Sequence, residues 1–225
     1  ILKSMGKKYK NVSMLSHTHG QPASPTTMGK EFINYQKRIL NQLDDLKKIK
    51  IRGKFNGATG NYSSHHITYS NINWPITIKK FIKSLKLDFN SHTTQIEPHD
   101  YIADICYKQS HINSILIDFA QDIWSYISKN YFNQKNIAGE IGSSTMPHKI
   151  NPINFENAEG NLGMSNALSQ FFANKLTISR LQRDLSDSTV LRNIGLMFSY
   201  SMIAYKNILI GLNKLEINKS KINND

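Results

Sequence analysis

Apolar residues recur along this chain at helical rather than strand spacing. Met28, Phe32, Ile39, Leu43 and Leu46 follow at intervals of four, seven, four and three, the stripe that one face of an amphipathic helix presents. Ser24-Pro25 offers an N-cap and a first-turn proline just ahead of it, so a helix start is expected there. Ile102, Ile105, Ile112, Leu116, Phe119, Ile123 and Ile127 predict a second helix from near Pro98 to about Lys129. Its opposite face carries Asp100, Asp104, His111, Asp118 and Asp122. A solvated or helix-facing polar side explains that row better than metal ligation, because no Glu-x-x-His partner helix accompanies it. A third helix is expected from Pro152 through NPINFENAEGNLGMSNALSQFFANKL, and a fourth from near Asp187 through DSTVLRNIGLMFSYSMIAYKNILIGLNKL. No strand alternation of useful length competes. The predicted fold class is all-α, an elongated bundle of long helices in one domain.

Composition narrows the function classes. Cys106 is the only cysteine, so no intrachain disulfide is possible and an oxidising compartment is not implied. No apolar run approaches the roughly 18 to 20 residues of a membrane span, and ILKSMGKKYK lacks the apolar core of a signal peptide. A soluble, cytoplasmic protein with no membrane partner is expected. The formal charge of +12 invites a nucleic-acid reading. The basic clusters KSMGKKYK, KKIKIRGK, KKFIKSLK and KLEINKSK lie far apart, however, and no zinc-finger, RRM or helix-turn-helix signature accompanies them. No nucleic-acid partner is predicted; attraction of a small polyanionic substrate remains open.

The unusual chemistry lies between the helices. Ser16-His17-Thr18-His19-Gly20-Gln21-Pro22 is too polar and too punctuated for a helix interior, so its histidines are displayed on a turn. Surface histidines, a His-x-His metal half-site and a general acid all fit those residues. GEIGSSTMPHKINP, residues 139–152, is more specific. Gly142 permits a sharp turn, Ser143 and Ser144 offer hydroxyls and N–H groups, and Pro152 opens a helix whose N-terminus favours anions. A capped connector explains the serines and prolines but not Lys149 and Asn151, which suit a carboxylate whose negative charge grows during reaction. Thr93-Thr94-Gln95-Ile96-Glu97-Pro98-His99-Asp100 reads as a helix cap through Thr94 and Asp100, with Gln95 and Glu97 left over. Arg180, Arg183 and Arg192 flank Ser186, Ser188 and Thr189, a phosphate or carboxylate clamp or else solvated charge. RGKFNGATGN fits neither the Walker nor the dinucleotide spacing and reads as a backbone turn, with His65-His66 after it at the surface or a subunit interface.

GSSTMPHKINP resembles the fumarase/aspartase superfamily signature Gly-Ser-Ser-x-x-Pro-x-Lys-x-Asn-Pro. Gly142, Ser143, Ser144, Pro147, Lys149, Asn151 and Pro152 meet its fixed positions. THGQPA, TQIEPHD and QRDLSDSTVLRN are similar to the adenylosuccinate lyase branch, in the expected order from about Ser13 to about Leu215. Fumarases and argininosuccinate lyases share the serine loop but not the last of these motifs. They remain the alternatives, beside a helical scaffold that reuses the fold without catalysis.

The resemblance implies elimination of fumarate from adenylosuccinate, giving AMP, and from SAICAR, giving AICAR. It matches Ser143 to the general base, His19 to the general acid and Glu156 to the carboxylate that orients the acid histidine. Thr18, Gln95, Ser144, Lys149, Asn151, Asn157, Arg183, Ser188, Thr189 and Arg192 match the positions that hold the succinyl carboxylates and the nucleotide. No metal or organic cofactor is implied. The family forms homotetramers whose active sites draw on three chains, so His19 and Ser143 would act across subunits, under a lid around Ser143. The family's N-terminal and small C-terminal domains are not visible, and residues 1–225 read as its central helical domain.

Overall fold

A computed structural model describes residues 1–135, 146 and 149–225. In chain order the elements are α1 (Leu2–Lys8), β1 (Ser13–Thr18), β2 (Gln21–Thr27), α2 (Met28–Leu46), β3 (Arg52–Gly53), α3 (Ser63–Thr68), α4 (Trp74–Ser84), β4 (Asp88–Phe89), α5 (Asp100–Ser128), β5 (Phe132–Gln134), α6 (Ile153–Leu176), α7 (Ser186–Leu191), α8 (Ile194–Lys214), β6 (Leu215–Ile217) and α9 (Lys219–Asn224). The long α2, α5, α6 and α8 bear out the predominantly helical class. The residues cluster into two compact units, one of residues 1–43, 111–166 and 198–225, the other of residues 44–110 and 167–197.

The first unit buries Met28 and Phe32 of the α2 stripe and Phe119 and Ile123 of the α5 stripe, together with residues that no stripe named. Met28, Phe32 and Tyr35 of α2, Ile115, Phe119 and Ile123 of α5, Phe155 and Leu162 of α6, and Ala204, Ile208 and Leu212 of α8 form one buried cluster. Inside it Asn113 donates to Ser165 and Ser201, each at 3.0 Å, and accepts from the Tyr205 hydroxyl at 2.7 Å. This network satisfies the polar groups that the helices bury. The polar row of α5 is structural where the unit describes it: Asp118 pairs with Arg38 at 2.6 Å, and Asp122 accepts from the Tyr35 hydroxyl.

The helix expected at Ser24-Pro25 begins three residues later, at Met28. Residues 21–27 instead pair antiparallel with β1, with Pro25 opposite Leu15 and Pro22 opposite His17, on either side of an irregularity in register. Both strands of a two-stranded sheet are edges, where proline is tolerated. Thr27 rather than Ser24 caps α2, accepting the Lys30 N–H at 3.3 Å, while Val12 and Tyr9 carbonyls take the Met28 and Gly29 amides, each at 3.0 Å. The short paired strands β1–β2, β3–β4 and β5–β6 also lie outside what periodicity suggested.

The second unit has two small cores. Ala103, Cys106, Phe172, Ala173, Leu176 and Met197 form one; Tyr62, Ile78 and Ile82 form the other, under Trp74, Leu87 and Phe89. Burial pushes the Cys106 thiol up to about 11, so it packs as a small hydrophobe. The predicted fourth helix is interrupted: α7 ends at Leu191, and Asn193 turns its side-chain amide onto the Thr189 carbonyl at 3.0 Å before α8 begins. Residues 186–214 nonetheless contain an 18-residue window, at a mean hydropathy of 1.2, long and apolar enough to cross a membrane by length and composition. The sequence reading did not expect this. Of that window 28% is buried, and Ala204, Ile208 and Leu212 of α8 lie in the core of the first unit.

RGKFNGATGN is the turn expected of it. Gly57 and Gly60 sit at φ +86° and +84°, and a Cβ on Gly60 would fall 1.8 Å from the Thr93 carbonyl oxygen. We expect Gly60→Ala to cost about 3 kcal/mol or more, from left-handed strain plus this overlap. Urea unfolding checks it, and an unchanged midpoint would contradict the packing described.

Candidate functional site

In the first unit the β1–β2 hairpin presents the histidines. Thr18 pairs with Gln21, leaving His19 and Gly20 as a two-residue tip with φ of 54° and 73°. Tips with both residues left-handed match the twist of the strands, and Asn-Gly is the usual choice. Histidine tolerates this region better than most side chains, yet its use there carries a cost that points to a role outside packing. His19 and Thr18 are exposed. His17 differs. Its ring centroid lies 5.9 Å from that of Tyr131, and its Nδ1 is buried without a hydrogen-bond partner among the described residues. Burial, then the charge of Lys129, hold its pKa below the ordinary histidine value. The two histidines are thereby separated into one packed and one displayed.

The start of α6 carries the next group. Pro152 precedes the helix, and its carbonyl accepts the Phe155 and Glu156 amides at 3.0 and 3.2 Å. Fully buried Phe155 anchors this end in the core. Asn154 reinforces it, donating to Asn207 at 3.0 Å and accepting from Lys214 at 3.1 Å. Glu156 and Asn157 then face outward from the first turn, where the helix dipole favours the carboxylate. Glu156 accepts from the Trp124 indole at 3.0 Å, and the Asn157 side chain accepts from Asn161 at 3.1 Å. Lys149 is exposed and Asn151 half-buried just ahead of the helix. Ser143 and Ser144, with the Gly142 and Pro147 of the signature, lie outside the described residues.

The second unit holds Gln95, Arg183, Ser188, Thr189 and Arg192. Gln95 is exposed, and its backbone is held on two sides. Its N–H donates to the Gln182 carbonyl at 3.4 Å, and its carbonyl accepts from Lys54, which also reaches the Gly57 carbonyl at 3.1 Å. Fully buried Asn56 exchanges hydrogen bonds with the Thr93 hydroxyl at 3.0 and 3.2 Å. RGKFNGATGN is therefore the buttress of the Gln95 segment. Glu97 rather than Thr94 or Asp100 ties that segment to α5, accepting the His99 N–H at 2.9 Å and the Asn90 amide at 3.1 Å. His65 is packed more than a surface histidine would be, 4.8 Å from Trp74 and 5.8 Å from Phe55 between ring centroids, whereas His66 is exposed.

On the other side of this region Arg183 donates to buried Asp187 at 2.8 Å, and His99 meets the second oxygen of Asp187 at 3.2 Å. Burial pushes the Asp187 carboxyl upward, but the Arg183 and His99 hydrogen bonds and the Arg183 charge outweigh it and hold its pKa below the usual range. Ser188 donates to the Leu185 carbonyl at 2.9 Å; Thr189 and Arg192 are exposed. Sequence reasoning missed Asp187, His99, Lys54 and Trp124. Asp187 and His99 stood within QRDLSDSTVLRN and TQIEPHD without a role of their own, and Lys54 and Trp124 carried no pattern.

The comparisons with known proteins decide the family. A model described as "Lyase" matches residues 1–165, well over half of the chain. The chain belongs to this lyase family. A second, "Adenylosuccinate lyase C-terminal", matches residues 179–225. The chain is 59% identical to the adenylosuccinate lyase of Legionella pneumophila (strain Corby) over 221 residues, 98% of this chain and 48% of that protein. It is 60% identical to the adenylosuccinate lyase of Buchnera aphidicola subsp. Schizaphis graminum over 222 residues, 99% and 49% of the two chains. Against the adenylosuccinate lyase of Escherichia coli (strain K12) the figure is 52% over 221 residues, 98% and 48%. The chain thus spans about half the length of the curated relatives it matches.

Proposed function

We propose that this chain contributes to an adenylosuccinate lyase, a carbon–nitrogen lyase that eliminates fumarate from adenylosuccinate and from SAICAR. The observation that carries this reading is 52–60% identity to proteins of that name across nearly the whole chain. The packing of the Gln95 segment against the Arg183 segment agrees with it, since both motifs belong to that branch.

The chemistry accounts for the residue types. The proton to be removed lies beside a carboxylate and is weakly acidic, so a strong base and fixed donors for the resulting dianion are both needed. Ser143 is the base in this reading, its ionisation aided by the charge of Lys149 and by loop N–H groups. As the carbon–nitrogen bond breaks and the carbon–carbon double bond forms, His19 gives its proton to the departing nitrogen. Glu156 orients the acid histidine. Thr18, Gln95, Ser144, Lys149, Asn151, Asn157, Arg183, Ser188, Thr189 and Arg192 hold the substrate by its succinyl carboxylates and its nucleotide phosphate.

The sites are shared in this reading, with His19 and Ser143 contributed by different copies of a homotetramer. Exposed apolar residues on α8, including Leu196, Met202, Ile203, Leu209 and Ile210, supply a surface that association would bury. Residues 1–225 serve as the central helical domain, in the cytoplasm. The test is fumarate release by the protein expressed from its complete gene, supplied in turn with adenylosuccinate, SAICAR, argininosuccinate and malate. Release from the first two only is expected. Release from argininosuccinate or malate alone would replace this reading with a sister lyase, and release from none by a folded tetramer would leave a scaffold.

A further inference from the structure

Asp187 is the most enclosed charged group of the second unit that the proposed chemistry leaves unused. Its side chain is 8% exposed, that of His99 14% and that of Arg183 23%. Each carboxylate oxygen has its own partner: Oδ1 accepts from Arg183 Nη1 at 2.8 Å, and Oδ2 meets His99 Nε2 at 3.2 Å. His99 is itself fixed. It occupies φ 66°, its N–H is held by Glu97 at 2.9 Å, and its carbonyl accepts the Ile102 and Ala103 amides at 2.9 and 3.1 Å. A histidine held left-handed at a helix start, with its ring turned onto a buried carboxylate, is a rigid abutment.

A guanidinium carries five N–H donors in a planar fork, and Asp187 occupies one of those on Arg183. The rest remain for a ligand, and the side chain reaches solvent far enough to meet one. We propose that Asp187, braced by His99, is a positioning residue that sets the plane of the Arg183 guanidinium for a substrate anion. This rests on the reading of Arg183 as an anion-binding residue. Without the brace, a long side chain would have to surrender rotamer freedom on binding, which weakens affinity without touching the bond-breaking step. Stability alone is a poor explanation of the triad, because a buried ion pair is often no more stabilising than apolar packing of the same volume.

The test uses the protein expressed from its complete gene, with His99→Leu, His99→Gln and Asp187→Asn made alone and in an Arg183→Leu background. His99→Leu and Asp187→Asn are expected to raise the KM for adenylosuccinate about tenfold with kcat within about threefold of the parent. His99→Gln, whose amide keeps a donor near the Nε2 position, is expected to stay within about threefold of the parent KM. In the Arg183→Leu background neither change should raise KM further, since residues that act through one group are not additive. Should Asp187→Asn fail to fold, the two His99 variants decide alone. An unchanged KM in a folded His99→Leu, a lowered KM in Asp187→Asn, or a full effect persisting without Arg183 would overturn the proposal while the lyase reading stands. A parent enzyme without turnover of adenylosuccinate removes the lyase reading first, and the positioning role with it.

Discussion

Ser143→Ala is expected to lower turnover of adenylosuccinate by about three orders of magnitude or more while substrate still binds. The size follows from the task. A proton beside an already ionised carboxylate leaves only if a base of matching strength meets it, and alanine offers neither that base nor a route for water to replace it in a closed site. The neighbouring donors would remain, so KM should move far less than kcat. Single-turnover kinetics with adenylosuccinate check both at once. A variant that kept a tenth or more of the parent rate would move the base to another residue.

His19→Gln is expected to lower kcat by about two to four orders of magnitude, the range a general acid supplies. Glutamine preserves a polar side chain at the hairpin tip but has no proton to transfer, so the departing nitrogen would leave without neutralisation. The pH dependence provides the sharper readout. The limb of the rate profile that reports ionisation of the acid should vanish in the variant, whereas His17→Gln should keep it, because His17 packs against Tyr131 and is not displayed. A profile unchanged by His19→Gln but altered by His17→Gln would exchange their roles.

How much of this was legible in the sequence depended on the range of the signal. The stripes of α2 and α5 read directly at Met28, Phe32, Phe119 and Ile123, since each of these residues reports its own burial. The start of α2 did not, because Ser24-Pro25 satisfies the local rules for a helix start while the competing pairing with β1 is set by residues about ten positions away. The α4 helix had usable marks, an Asn73 cap and a first-turn proline, but its apolar stripe is short. The candidate site divides the same way. Motifs with fixed spacing placed His19, Glu156 and Arg183 on recognisable segments, whereas Asp187 and Lys54 gained their surroundings only when distant segments met. Asp187 meets His99 across 88 positions and Lys54 meets Gln95 across 41. No spacing rule spans such gaps.

The most direct test of the central claim is the ultraviolet spectrum of adenylosuccinate incubated with the protein from its complete gene, run beside Ser143→Ala and a solution-mass determination. Conversion to AMP and fumarate by a tetramer, absent in the variant, is the result expected. A folded tetramer that leaves adenylosuccinate unchanged, or a Ser143→Ala variant that converts it at the parent rate, would contradict the account.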